Sequence, residues 1–154
     1  MANAHLLTDL RLDLRHHELR PVYAVATERR RIATRQRPLE LTDLRTIAGR
    51  DNLAQAVIVR LLTPRGELAP LAHPDYGSRL HELVGRQNTE TTRNLVKVHV
   101  LESLAAEPRI EEVVTLTVTP APRTRDRVNV LLQVRPVGET AVVTIAPFTL
   151  ELAA

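Results

Sequence analysis

Between Asn52 and Leu62 only Gln55 and Arg60 are strongly polar, so the run LAQAVIVRL can stand as a helix only if neighbours cover most of its circumference. The rest of the chain must therefore wrap around it. Asp51 or Asn52 can cap its start by accepting a free backbone N–H. Pro64 cannot continue the hydrogen-bond ladder and Gly66 permits a reversal, so a turn running on to Glu67 ends it. With 154 residues there is room for one core and an arm, with little left for a second domain. That core is aliphatic, because Tyr23, Tyr76 and Phe148 are the only aromatic rings besides histidine.

Upstream, Leu10, Leu12 and Leu14 alternate with Arg11, Asp13 and Arg15, the period-two pattern of a half-buried strand. After His16-His17 and Pro21, Val22 to Thr27 is a second β-prone run, followed by Arg29-Arg30-Arg31 and a polar stretch to Pro38. No tight hairpin signal joins these runs. Residues 1–40 therefore read as an extended arm that orders against a partner, and 41–154 as the folded domain. Leu39 to Ala48 reads as a connector, with Leu41, Leu44 and Ile47 at near-helical spacing and Gly49 as its stop.

Downstream, Leu68 to Leu71 reads as a short extended piece. Pro74-Asp75-Tyr76-Gly77-Ser78 is a turn, with Ser78 placed to cap a short helix through Leu80, Leu83 and Val84 that Gly85 closes. Thr89 offers a cap to a longer helix from Glu90 to about Ala106. Val96, Val98 and Val100 alternate like a strand, but Leu95, Val98, Leu101 and Ala105 keep helical spacing, and the acidic first turn decides for helix. Pro108 ends that helix and pushes Glu107 toward extended geometry. Glu107 and Arg109 then emerge on one face as a polar patch between helix and sheet. Three β runs follow, Glu112 to Thr119, Val128 to Arg135 and Thr140 to Leu150, joined by loops short enough for a meander. Pro147 marks the last as an edge strand or a bulge. The expected fold is α+β: two main helices plus a short one packed on a three-stranded antiparallel sheet, with an extended N-terminal arm.

Chemistry-bearing patterns are scarce. The absence of cysteine excludes disulfides, thiolate metal sites and a cysteine nucleophile. No histidine has companions at metal-ligand spacing: His16 and His17 point apart, and His73, His81 and His99 stand alone. A glycosidase needs two carboxylates beside a sugar cleft, and Glu67, Asp75, Glu82 and Glu107 each have a local explanation as turn, helix-surface or helix-end residues. No phosphate-binding glycine loop or nucleophile elbow occurs. No catalytic residue, metal or cofactor is expected. No window nears the roughly 20 apolar residues that span a bilayer, and acidic residues interrupt Met1 to Leu14, so a soluble, cytoplasmically made chain is expected. Eight arginines against four acids give residues 1–37 a charge of +4, while thirteen cations against fourteen acids give the remainder −1, making the chain's +3. Arginine supplies nearly all the cations, Lys97 being the sole lysine, which suits interfaces where a planar fork pairs with carboxylates.

Taken in order, Leu61-Leu62-Thr63 with Gly66-Glu67, then Pro74-Asp75-Tyr76-Gly77-Ser78, then Glu107-Pro108-Arg109 resemble the gene-25-like baseplate wedge family of contractile tails, which includes TssE of type VI secretion. The resemblance covers roughly residues 44–150 and leaves the arm and the PAPRTRD loop as departures. It implies a non-enzymatic wedge component of a contractile injection machine: an extracellular injection particle, a phage tail or a type VI system. Such a part is assembled in the cytoplasm, joins the wedge and central hub to the first sheath ring, and templates sheath assembly. Its implied partners are the helical core bundle of the other wedge subunits, the sheath protein by strand exchange, and hub or tube-initiator proteins, with about six copies if ring symmetry applies. Neither nucleic acid nor membrane insertion is implied. Carried over by position, Glu107, Pro108 and Arg109 would be the docking signature, and Pro64, Gly66, Glu67, Pro74, Asp75, Tyr76, Gly77 and Ser78 the structural turns. Two other readings stay open: a peptidoglycan-degrading, lysozyme-like enzyme and a basic nucleic-acid-binding module.

Overall fold

The structure, a computed structural model, describes residues 6–14, 23–33 and 39–152. The apolar helix α1 runs Gly49–Leu62 and buries Leu53, Val57, Ile58 and Leu61. It begins earlier than expected, and neither Asp51 nor Asn52 caps it, because Ala48 occupies the cap position without a side-chain bond. Asn52 instead turns inward, and its Nδ2 donates to the Leu6 carbonyl at 2.9 Å. Helix α2, Glu90–Leu104, does start on Thr89, whose hydroxyl accepts from the Thr92 N–H at 3.2 Å. Val96 and Val100 are buried while Val98 is 45% exposed. The alternation that looks like a strand is thus satisfied by helical i, i+4 spacing.

The helices lie against a C-terminal antiparallel sheet ordered β7 (Ile110–Pro120), β8 (Arg127–Pro136), β9 (Val143–Glu151). Along β8, Val128, Val130, Leu132 and Val134 all face inward and are fully buried. Helix α2 packs on β7 and α1 on β9. The register jumps from Val130 opposite Phe148 to Leu132 opposite Ile145, a bulge on β9 at Ala146 and Pro147. Proline lacks the N–H a ladder needs, so the irregularity falls there. No helix among the described residues is long and apolar enough to cross a membrane.

The expected architecture needs correction at the N-terminal end and in overall class. The molecule is not two helices on a three-stranded sheet with an extended arm: among the described residues, nine strands in four antiparallel sheets make it strand-rich. Strand β1 (Thr8–Leu10) pairs with β6 (Thr46–Ala48), β2 (Leu12–Leu14) with β3 (Tyr23–Val25), and β4 (Thr27–Ile32) with β5 (Leu39–Leu44). The boundary drawn between residues 40 and 41 falls inside β5. Leu39 to Ala48 is strand, not a near-helical connector, and Leu41 and Leu44 are exposed on it. Leu68 to Leu71 is also not extended, since Ala69–Leu71 form a 3-10 turn. A second 3-10 turn spans Leu80–Leu83. His16-His17, Pro21 and residues 34–38 lie outside the described residues, as does the side chain of Tyr23.

The three N-terminal ladders meet at one point. Arg11 N–H donates to the Arg45 carbonyl at 2.8 Å, Arg45 N–H to that of Ala26 at 2.9 Å, and Ala26 N–H to that of Arg11 at 2.8 Å. The N–H and C=O of one extended residue point to the same side. Each chain therefore uses a single edge for both partners, and three two-stranded ribbons radiate from a closed ring of hydrogen bonds.

This junction is tied to α1. Leu6 is fully buried in the main core. Gln55 behaves as a strand partner: its Oε1 accepts from Leu12 N–H and its Nε2 donates to the Leu10 carbonyl, both at 2.8 Å. Gln55→Leu strands one backbone donor and one acceptor in a half-buried place. The expected cost is about 1 to 2 kcal/mol, read by urea unfolding, with faster amide exchange concentrated in residues 8–12 and 46–48.

Candidate functional site

The turn motifs converge at one corner, where the end of α1, the Pro74 to Ser78 turn and the end of α2 meet. Ser78 N–H donates to the Thr63 carbonyl and Arg65 N–H to the Ser78 carbonyl, both at 2.8 Å, which lays the turn parallel to Pro64. The Ser78 hydroxyl donates to the Leu61 carbonyl at 2.5 Å and accepts from Leu80 N–H at 3.3 Å. The first bond welds the turn to α1, and the second supports the short 3-10 turn. Gly77 sits at φ +109°, where a Cβ would come within 2.5 Å of the Thr63 carbonyl oxygen. Its own carbonyl accepts from the Ser103 hydroxyl of α2 at 3.0 Å. Gly66, at φ +90°, makes the reversal after Pro64, and Glu67 N–H closes it on the Pro64 carbonyl at 3.1 Å.

Beneath this turn lies a buried charge cluster. Ile110 N–H donates to the Glu107 carbonyl at 3.1 Å, making Glu107 to Ile110 a reverse turn with Pro108 second, where proline's fixed φ fits. The segment is not extended, contrary to the expectation from Pro108; the turn folds the two side chains onto each other. Arg109 grips the Glu107 carboxylate with Nε at 2.6 Å and Nη2 at 3.1 Å. Arg60 Nη2 reaches the same carboxylate at 3.4 Å, and its guanidinium lies 4.5 Å from the centre of the Tyr76 ring. Glu107 is 5% exposed. Burial pushes its carboxyl upward, but the Arg109 hydrogen bonds and charge outweigh that and hold it below the usual range. Burial raises the Tyr76 hydroxyl, with the Glu107 charge adding and Arg60 opposing. The bond to Glu107 raises Arg109 in turn.

Glu107, Pro108 and Arg109 are thus brought together with Tyr76 and Gly77, and the pair's charges are spent largely on one another. Asp75 points outward, its side chain 82% exposed, with Arg65 at 2.7 Å as its one partner among the described residues. Arg60, His73, Pro74, Asp75, Tyr76 and Ala106 line an open groove of about 320 Å³ beside the cluster. Two members were not singled out from sequence. Arg60 had a readable signal, because an arginine in a helix covered on most sides needs a buried partner. Ser103 had none. His99, which the sequence leaves without companions, is 7% exposed, with Nδ1 3.3 Å from Glu102. Among the described residues, no three metal-capable side chains cluster.

No protein-family profile and no curated protein matches the chain. A crystal structure at 1.44 Å of a Geobacter sulfurreducens protein, provisionally named a tail lysozyme, is similar, with 26% identity and a TM-score of 0.57. The similarity covers 68% of this chain and 91% of that one. Nearly all of that tail protein has a counterpart here.

Proposed function

We propose that this chain is a structural part of the baseplate of a contractile, tail-like machine, a wedge component that holds neighbours in place and transforms no substrate. The observation that carries this reading is the fold shared with 91% of a tail protein, joined to three motifs that meet at one corner. The corner has the character of a rigid docking platform: the Glu107 and Arg109 pair fixes its shape, and the groove over Tyr76 and Asp75 offers the contact. The partners that suit it are the helical core bundle of the wedge at the groove and the sheath protein by strand addition. Among the described residues, β7 and β9 each pair on one edge only, which suits such addition. Hub or tube-initiator proteins complete the set, and assembly takes place in the cytoplasm before any release of the particle.

Asp75 tests the reading because it contributes little to the fold. Asp75→Arg removes one exposed ion pair, worth about 1 kcal/mol or less, so the melting temperature should stay within about 3 °C. Sheathed particles counted by electron microscopy in a complemented deletion strain should fall at least about tenfold. Normal particle numbers would remove the groove from assembly.

A second reading, peptidoglycan cleavage, is favoured by the name of the Geobacter protein. Glycoside cleavage needs one carboxyl group held protonated, whereas Glu107, the buried carboxylate of this corner, is held ionised. Clearing of a peptidoglycan gel by the purified chain would reverse the choice.

A further inference from the structure

The ribbon formed by β4 and β5 is the part of the molecule least explained by its own fold. Every described side chain on it is exposed, including the apolar Ile32, Leu41 and Leu44 at 42 to 50%. Among the described residues neither of its outer edges is paired. Its two strands carry opposite charge: β4 has Arg29, Arg30 and Arg31 against Glu28, a net of +2, and β5 has Glu40 and Asp43, a net of −2. Within the ribbon Arg31 meets Glu40 at 2.9 Å and Arg30 meets Asp43 at 3.6 Å. All four of these side chains are more than half exposed, so each retains room for a second partner.

We infer that this ribbon is a self-complementary edge, on which β4 of one copy of the chain adds to β5 of the next. Cross-strand neighbours in an antiparallel sheet stand about 5 Å apart on a shared face. A second copy's β4 laid along the outer edge of β5 repeats the pairing already made inside the ribbon. Arg31 stands opposite Glu40 on one face; on the other Asp43 stands opposite Glu28 but diagonal to Arg30, which reaches it at 3.6 Å. Each face therefore gains an opposite-charge pair, and only one like-charged pair opposes them. The symmetric alternatives set +2 against +2 or −2 against −2, and like charges across a ladder repel. The contact is therefore head to tail, leaving a free β4 at one end and a free β5 at the other, and it closes a ring or extends a row. Six residues of strand span about 20 Å, short of the roughly 800 Å² per partner typical of a stable pair. Association of the isolated chain is accordingly weak and salt-sensitive, and strengthens where other contacts align the copies.

The test exchanges the charges of the two strands without disturbing the ribbon's internal pairing. Arg30→Glu, Arg31→Glu, Glu40→Arg and Asp43→Arg in one chain give β4 −2 and β5 +2, so each strand still faces an opposite charge within its own copy. In low salt, an affinity-tagged wild-type chain should retain untagged wild type, and a tagged exchanged chain should retain the exchanged chain. In a mixed pair both β4-to-β5 contacts become like-charged while β4 against β4 becomes attractive, so the contact is read by a disulfide between chains. With Thr27→Cys in the tagged chain and Leu44→Cys in the untagged one, mixed pairs should cross-link at least about tenfold less than matched pairs. Glu40→Arg with Asp43→Arg alone, which makes both strands basic, should abolish self-retention. Equal cross-linking in mixed and matched pairs would overturn the inference, as would a wild-type chain that sediments as a monomer at millimolar concentration. Neither outcome bears on docking at the Tyr76 groove, which lies in a different part of the chain.

Discussion

Replacing Gly77 with alanine should cost about 3 kcal/mol or more, because two penalties coincide there. At φ +109° an L side chain is strained, and the added Cβ would lie 2.5 Å from the Thr63 carbonyl oxygen and 2.9 Å from Arg65 N, backbone atoms that cannot swing aside. Relief requires the Pro74 to Ser78 turn to lift off α1, breaking the two 2.8 Å backbone bonds between Ser78 and its neighbours. For a chain of this length the melting temperature should drop by about 6 to 12 °C. Gly66→Ala is the matched control. Its φ is +90° but an added methyl would meet nothing within 4 Å, so only the conformational penalty of about 1 to 2 kcal/mol applies. Equal losses at the two sites would mean that the close approach at Gly77 contributes nothing.

Arg109→Ala should be as damaging at neutral pH, and its signature is the pH dependence. In the native chain the Glu107 carboxyl is held low, so its contribution is present above the unfolded value of about 4.3 and is lost as pH falls through the folded value. Without Arg109, burial dominates and Arg60 at 3.4 Å is, among the described residues, the one cation left on the carboxylate, so the folded value rises. The sign then reverses: the buried carboxylate opposes folding at neutral pH and ceases to do so once protonated. Chemical denaturation should show a loss of about 3 to 5 kcal/mol at pH 7 that shrinks as pH falls toward the unfolded value of about 4.3 and continues to shrink below it. Glu107→Gln in the Arg109→Ala background should recover part of it at pH 7. A loss independent of pH would mean that Arg109 acts through packing of its stem, not through its charge.

Local signals were legible wherever one residue decides the backbone. Pro64, Gly66, Gly77 and Pro108 mark reversals that the structure places at those residues, and Thr89 caps α2 as its chemistry suggests. Legibility failed where the partner is distant in sequence. Leu10, Leu12 and Leu14 announce a strand, but Thr8 pairs with Ala48 and Leu12 with Val25, and nothing local in either segment names the other. Leu41, Leu44 and Ile47 misled for a different reason: a spacing of three fits a helix equally well, and periodicity cannot arbitrate a short run. At the corner, the composition of the charge cluster could be read but not its direction. Glu107 and Arg109 look like a patch presented to a partner, while the turn at Pro108 directs each chiefly to the other. The outward-facing member is Asp75, which in the sequence is one more turn residue.

The ring of three hydrogen bonds joining Arg11, Ala26 and Arg45 makes the N-terminal ribbons inseparable in a mechanical sense. Each chain is gripped by a different neighbour on either side of its ring residue, so none can slide along its axis without dragging the other two out of step. A tug on the far end of β4 and β5 is shared among three strands and passes by way of Gln55 and Leu6 into α1. A projection that would otherwise be a loose tether becomes a lever anchored in the molecule's interior.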